Sequence, residues 1–275
     1  MPSDAAAMVA LSLEVFGPGV DRSPAIVRAR AEHLLAHADP SSAVAETASG
    51  TLVGHALTRR IGPVVLLAWA VVREAEQGRG IMRALLEGFP AAAPGTQRVI
   101  ISSTDPKAMR RYGALGLALH PTVSAGGILR PGAVRAPSAT DSRGREIDEC
   151  SPAEAAEVLD QLALQARGAA YGPDVALLES QGDRVHLCGA DAAVVRNGGI
   201  IRLAVARDEQ AAALALQAAL AAAPPGATMH LRQLRAGMDW AIRVASDAGL
   251  ALSPEGPVFS DRPLSPLHLP QGSLG

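Results

Sequence analysis

Lysine is nearly absent from this chain. Of its 25 lysines and arginines, only Lys107 is a lysine, so modification of the chain's own lysines has almost no target. The excess of arginine and alanine reflects GC-rich codons and carries no chemistry. Aromatic residues make up 3%, which makes each tyrosine and tryptophan informative. Two cysteines, Cys150 and Cys188, cannot build a disulfide scaffold and point to a reducing compartment. A net charge of −2 gives no electrostatic reason to expect nucleic acid or an anionic membrane as partner. No apolar run is long enough to span a bilayer. The first residues lack the basic stretch of a signal peptide. The expected location is the cytoplasm.

The chain is 275 residues long and 48% hydrophobic, enough for one or two domains with a sizeable core. It also repeats itself. Gly116-Leu117-Ala118-Leu119-His120-Pro121 recurs as Gly249-Leu250-Ala251-Leu252-Ser253-Pro254. A helical stretch precedes each copy, at 105–115 and 237–248. Before each helix lies a strand-like run, 98–102 and 228–234. Further back come an Ala/Leu-rich helix, 81–92 and 209–222, and a strand, 64–72 and 199–206. The matched order of five elements indicates a duplicated domain. The turn-rich stretch 130–145 reads as a linker, which divides the chain into 1–132 and 145–275. After it, Ser151, Pro152 and Glu154 form a capping-box helix start. Ser23-Pro24 starts a helix in the first half, running to about Ala38. Strands at 43–48 and 51–59 flank a Ser49-Gly50 turn as a hairpin. These elements fit an α/β fold with a sheet of mixed direction.

The segment 71–86, VVREAEQGRGIMRALL, carries the most chemistry. A β-branched run ends in a charged loop, then Gln77, Gly78, Arg79, Gly80 and Ile81 lead into a helix-like pattern. A strand–glycine loop–helix junction offers unpaired amides to an anionic phosphate. The spacing is neither that of a dinucleotide fingerprint nor that of a P-loop. It resembles the coenzyme A pyrophosphate loop of GNAT superfamily N-acetyltransferases, Gln/Arg-x-x-Gly-x-Gly/Ala, with Met82 where a small residue is usual. A second family pattern, Asn-x-x-Ala-x-x-Φ-Tyr-x-x-Φ-Gly-Φ (Φ apolar), is similar to 105–117. Ala108, Tyr112, Leu115 and Gly116 match it, whereas Asp105, Arg111 and Leu117 depart from it.

The resemblance implies two GNAT-like domains in tandem, each a mixed, mostly antiparallel twisted sheet flanked by helices. It implies acetyl-CoA as cosubstrate. Val71 and Val72 would pair with the pantetheine amides as a sheet edge does. Gln77, Gly78, Arg79, Gly80, Ile81 and Met82 would wrap the pyrophosphate, with Arg79 and Arg83 adding charge-assisted bonds. Tyr112 would protonate the leaving thiolate as general acid; the rival reading makes it a core aromatic. For the base, His55, Glu46, His120 and a water chain stay open. His33 and His37 share a helix face, but without a third ligand no metal is expected. In the second half the loop position holds Arg207-Asp208-Glu209-Gln210, whose carboxylates would repel pyrophosphate, and Ala245 replaces the tyrosine. That half is therefore expected to be degenerate. Trp240 and 167–174 would be either an acceptor pocket or core and turn. The tail 266–275 reads as irregular. The expected activity is N-acetylation of a primary amine of a small molecule. The alternatives are a non-catalytic acyl-CoA-binding protein and a structural one. Acceptor identity, held in loops such as 16–20, is not legible, nor is oligomeric state, a homodimer included.

Overall fold

We describe a computed structural model covering residues 2–17, 23–91, 93–130, 132–224, 226–270, 272 and 274. The chain forms two compact units, 1–101 and 102–274. In the first, helices α1 (Pro2–Phe16) and α2 (Pro24–Ala36) precede strands β1 (Ala43–Glu46), β2 (Leu52–Ile61) and β3 (Val64–Val72). A 3₁₀ turn (Glu74–Glu76), helix α3 (Ile81–Leu85) and strand β4 (Gln97–Ile101) follow. Ser23 caps α2 by accepting from the Ile26 amide at 3.4 Å, and proline takes the first helical position, where its missing N–H costs nothing. The sheet runs β1-β2-β3-β4; β3 and β4 are parallel and the other pairs antiparallel. Met8, Leu11 and Leu34 bury against Leu57 and Val71.

The expected strand at 64–72 is present as β3, and the hairpin around Gly50 is present as β1–β2. The expected helix 81–92 is much shorter. It ends at Leu85. The chain runs on in tight turns, with the Glu87 amide donating to the Ala84 carbonyl and the Phe89 amide to the Leu86 carbonyl, each at 3.1 Å, and Pro90 cannot continue a helix. Ala92 lies outside the described residues.

The second unit contains α4 (Pro106–Gly113), β5 (Ala118–Ile128), β6 (Ile147–Cys150), α5 (Ala156–Arg167) and α6 (Asp174–Ser180). It continues with β7 (Arg184–Cys188), β8 (Ala192–Asn197), β9 (Ile200–Ala206), α7 (Glu209–Ala221), β10 (Thr228–Arg235), α8 (Asp239–Asp247), β11 (Ala251–Ser260) and β12 (His268–Leu269). The strand order is β11-β5-β10-β9-β8-β7-β6, with β12 on β9. Among the described residues of this unit, β9 and β10 are parallel and the other pairs antiparallel. Leu216, Leu220, Trp240 and Met229 form its core. The capping box closes as expected: the Ser151 amide donates to Glu154 at 2.8 Å and the Glu154 amide to Ser151 Oγ at 3.3 Å.

The repeated Gly-Leu-Ala-Leu segments have one structural cause. Gly116 and Gly249 both have φ of +76°, the left-handed conformation that ends a helix and that glycine adopts without strain. Each glycine turns the chain into a strand, β5 and β11, and these two strands pair antiparallel from Ala118–Ser260 to Gly126–Ala251. β5 also pairs with β10. A strand from the first repeat thus completes the sheet of the second. This is why compactness divides the chain at Ile101 while the repeat ends beyond β5.

A chain ended after Gly132 leaves β5 without β10 and β11. We expect it to lose cooperative thermal unfolding and to bind a hydrophobic dye, because its apolar strand residues become exposed. A sharp unfolding transition near that of the intact protein would contradict the strand placement.

Candidate cofactor site

The two parallel strand pairs, β3–β4 and β9–β10, part in the same way but end differently. β4 follows β3 only from Val64 to Leu67. At that point β3 carries an extra residue, Ala68, against β2. Such a bulge re-aims a strand and is common beside functional sites. From Ala68 to Val72 the β4-side edge of β3 has no strand partner among the described residues. The Arg73 amide donates to the Val53 carbonyl on the β2 side at 2.8 Å, so alternation turns the Val72 polar groups to the open side. There Gln77 Nε2 donates to the Val72 carbonyl at 3.2 Å and ties the loop to the strand end.

Gly78 and Gly80 have φ of +81° and +84°, which glycine alone adopts at no cost. No acceptor within the chain is found among the described residues for the amides of Gly78, Arg79, Gly80, Ile81 and Met82. Successive free amides make an anion-binding concavity. With α3 only five residues long, the helix dipole adds little and the amides themselves carry the cradle. Arg79 pairs with Glu76, and Arg83 is exposed on α3. Met82 is half-buried. The expected cofactor residues Val71, Val72 and 77–83 therefore lie on one continuous piece of backbone.

Tyr112 ends α4, in the second unit. It is buried, its ring meets Phe259 edge-on at 5.7 Å, and burial pushes its hydroxyl up to about 12. It stays protonated at neutral pH. Asp105 caps α4 by accepting from the Lys107 amide at 2.8 Å, the work expected of the usual asparagine.

Of the candidate bases, His55 is fully buried on β2, edge-on to Trp69 at 5.2 Å, and burial lowers it to about 3. Glu46 is exposed on β1. His120 lies half-exposed on β5, lowered by burial and by Arg235. His37 Nδ1 contacts the His33 carbonyl at 2.9 Å. Of the specificity loop 16–20, residues 18–20 lie outside the described residues.

In the second half the site is closed twice. β10 pairs with β9 only at His230–Ile200. Beyond it the open side of β9 is taken by β12, with His268 opposite Val205 and Leu269 opposite Ala204. The Ala206 amide adds a bond to the Leu267 carbonyl at 3.0 Å. By the register of the repeat, Val205 and Ala206 stand where Val71 and Val72 stand: the Arg207 amide donates to the Asp191 carbonyl as the Arg73 amide does to Val53. The tail read as irregular thus forms a strand. Three anchors hold it. Tyr171 Oη and His268 Nε2 are hydrogen-bonded at 3.0 Å, Trp240 Nε1 donates to the Pro266 carbonyl at 3.0 Å, and Arg235 Nη2 donates to the His268 carbonyl at 2.7 Å. Trp240 and Tyr171 are fully buried, which decides for core over acceptor pocket.

The second closure is electrostatic. Asp208 caps α7 by accepting from the Ala211 amide at 2.8 Å, so a carboxylate already sits at that helix end. Arg145 reaches it at 2.8 Å and also pairs with Asp141 at 2.7 Å and Asp191 at 3.3 Å. No sequence signal links Arg145, at the end of the linker, to Asp208; only the alignment of the two repeats identifies the place they fill.

No protein-family model matches the sequence, and no curated protein matches it. Solved structures do. A candidate acetyltransferase from Pyrococcus horikoshii is 14% identical with a TM-score of 0.74, over 98% of this chain and 92% of that one. The fold is that of tandem GNAT proteins. A tandem GNAT protein of the clavulanic acid biosynthesis pathway aligns over 94% of both chains, with 15% identity and a TM-score of 0.58. A GCN5-related N-acetyltransferase from Sphaerobacter thermophilus aligns over 96% of this chain and 94% of that one, with 15% identity and a TM-score of 0.56. No helix among the described residues is long and apolar enough to cross a membrane.

The ionic clasp has a pH signature. Hydrogen bonds and the Arg145 charge hold Asp208 and Asp141 below the usual carboxylate value against opposing burial. Depressed folded-state values mean stability that is present above the unfolded value, near 4, and lost as pH falls through the folded ones. Arg145→Met should therefore lower the melting temperature most at neutral pH, and its deficit against the parent should shrink below about pH 4. A deficit constant from pH 7 to 3 would mean the carboxylates are not held by Arg145.

Proposed function

We propose that this protein is an acetyl-CoA-dependent N-acetyltransferase that acts on a primary amine of a small molecule, with its cofactor bound in the first repeat. The observation that carries this reading is the edge of β3, without a strand partner beyond Leu67 among the described residues, running straight into amides of Gly78 to Met82 that have no acceptor among those residues. A strand edge suits an extended chain with amide groups, and a nest of amides suits phosphates. Pantetheine joined to a pyrophosphate has both in that order. Gly78 and Gly80 let the phosphates approach the backbone, Arg83 supplies charge, and Arg79 would supply more once freed from Glu76. The limits of the repeats, 1–132 and 145–275, belong to the same proposal, as do a cytoplasmic setting and the absence of nucleic-acid or membrane partners.

The chemistry is direct transfer. A neutral amine attacks the thioester carbonyl, the carbon–sulfur bond breaks, and the leaving thiolate takes a proton from Tyr112. The amine loses its proton to water or to a base. His55, held neutral at about 3, is too weak a base for that step, so a water chain is favoured. The burial of Tyr112 against Phe259 supports a second reading, in which the ring is packing and the protein binds acyl-CoA without turnover.

Calorimetry should find one coenzyme A per chain. Gly80→Glu should abolish binding by setting bulk and negative charge against the pyrophosphate. A stoichiometry of two would overturn the closed second half, and undiminished binding by the variant would move the site away from the loop. Tyr112→Phe should leave acetyl-CoA affinity nearly unchanged and lower turnover about 10²–10⁴-fold, as loss of a positioned general acid does; thiol release with an amine panel measures it. Full turnover would reduce Tyr112 to packing.

A further inference from the structure

The two Gly-Leu-Ala-Leu-x-Pro segments share more than the fold requires. Gly116 and Gly249 make the left-handed turn, and Leu117 and Leu250 are buried, each 5% exposed. The larger shared side chains that remain face solvent. Leu119 is 49% exposed and Leu252 45%, and Pro121 and Pro254 are exposed as well. Nothing in the core calls for them.

All four lie on one face of the paired strands β5 and β11. Leu252 stands opposite Ala125, Pro254 opposite Val123 and Leu119 opposite Phe259. Alternation along β5 puts 119, 121, 123 and 125 on the same side. That side carries α4, through Tyr112 against Phe259, and α8, through the core it shares with Ala125, Leu231 and Leu234. The leucines and prolines are therefore a strip that the two helices leave uncovered, and an exposed apolar strip of this kind marks a contact site.

The two helices carry opposite charge. On α4, Lys107 and Arg110 are exposed and Arg111 half-exposed, three and four residues apart along one side. On α8, Asp239 and Asp247 are exposed, and Arg243 between them is turned to Glu209 at 3.7 Å. None of these three cations and two carboxylates has an ion-pair partner among the described residues.

We propose that this strip is the contact between two copies of the chain, in a homodimer whose two-fold axis runs along β5 and β11. α4 lies on the β11 side of the strip and α8 on the β10 side. An axis parallel to the strands sets α4 of each copy beside α8 of the other, cations next to carboxylates. An axis across the strands would set α4 beside α4, with like charges together. Charge thus selects a second copy in one orientation, and a two-fold contact uses the same patch on both partners. Each copy's helices then cover the leucines and prolines of the other. The proposal needs no coenzyme A and is independent of the acetyltransferase reading.

Sedimentation equilibrium of the full chain over a range of concentrations tests it. The parent should form a dimer. Leu119→Glu and Leu252→Glu change exposed positions, so both variants should fold, which circular dichroism checks. Each should raise the dimer Kd at least about tenfold, as loss of a central apolar contact does. Lys107→Glu with Arg110→Glu should weaken the dimer, and so should Asp239→Lys with Asp247→Lys. All four changes together should restore it, because the two helices have then exchanged charge. A chain that is monomeric at every concentration, a dimer unaffected by both leucine variants, or a combined charge variant no tighter than its two parents would overturn the proposal.

Discussion

Backbone polar groups must find partners, and two parallel strands that part company leave a row of them without any. That constraint organises both repeats. Where β10 leaves β9, the edge is filled by residues 267–269 of the same chain. Where β4 leaves β3, no strand takes that place among the described residues. One edge is satisfied within the molecule and the other is available to something extended and amide-bearing. The asymmetry of the duplicated chain follows from which edge is filled.

In the second repeat the chain's own groups fill the strand edge and the helix head. β12 replaces an extended ligand at Ala204 and Val205, and the Asp208 carboxylate replaces an anion at the head of α7. Arg145 then pairs with all three carboxylates there, and Arg143 and Arg207 add two more positive charges. The buried polar anchors of this repeat, Tyr171 with His268 and Arg235 with two carbonyls, hold the terminal strand in one register.

Much of this was legible in the residue order. The β-branched run 64–72 could be little but a buried strand. Ser23-Pro24 and Ser151 to Glu154 marked helix starts by their capping chemistry, and Gly116 with Gly249 marked equivalent helix ends. The glycines of the loop pointed to unusual φ, and both have it. What was not legible is non-local. β5 sits between β10 and β11, and β12 finds β9, through pairings between residues far apart in sequence, which periodicity does not encode.

The central claim is that the edge of β3 and the amides that follow it form the ligand surface, and that the matching edge of β9 does not. Amide hydrogen exchange with and without saturating coenzyme A measures this directly. The account predicts added protection over 68–82 and none over 204–211, where partners are already in place. Protection gained at 204–211, or its absence from 68–82 in protein shown to bind the cofactor, would contradict it.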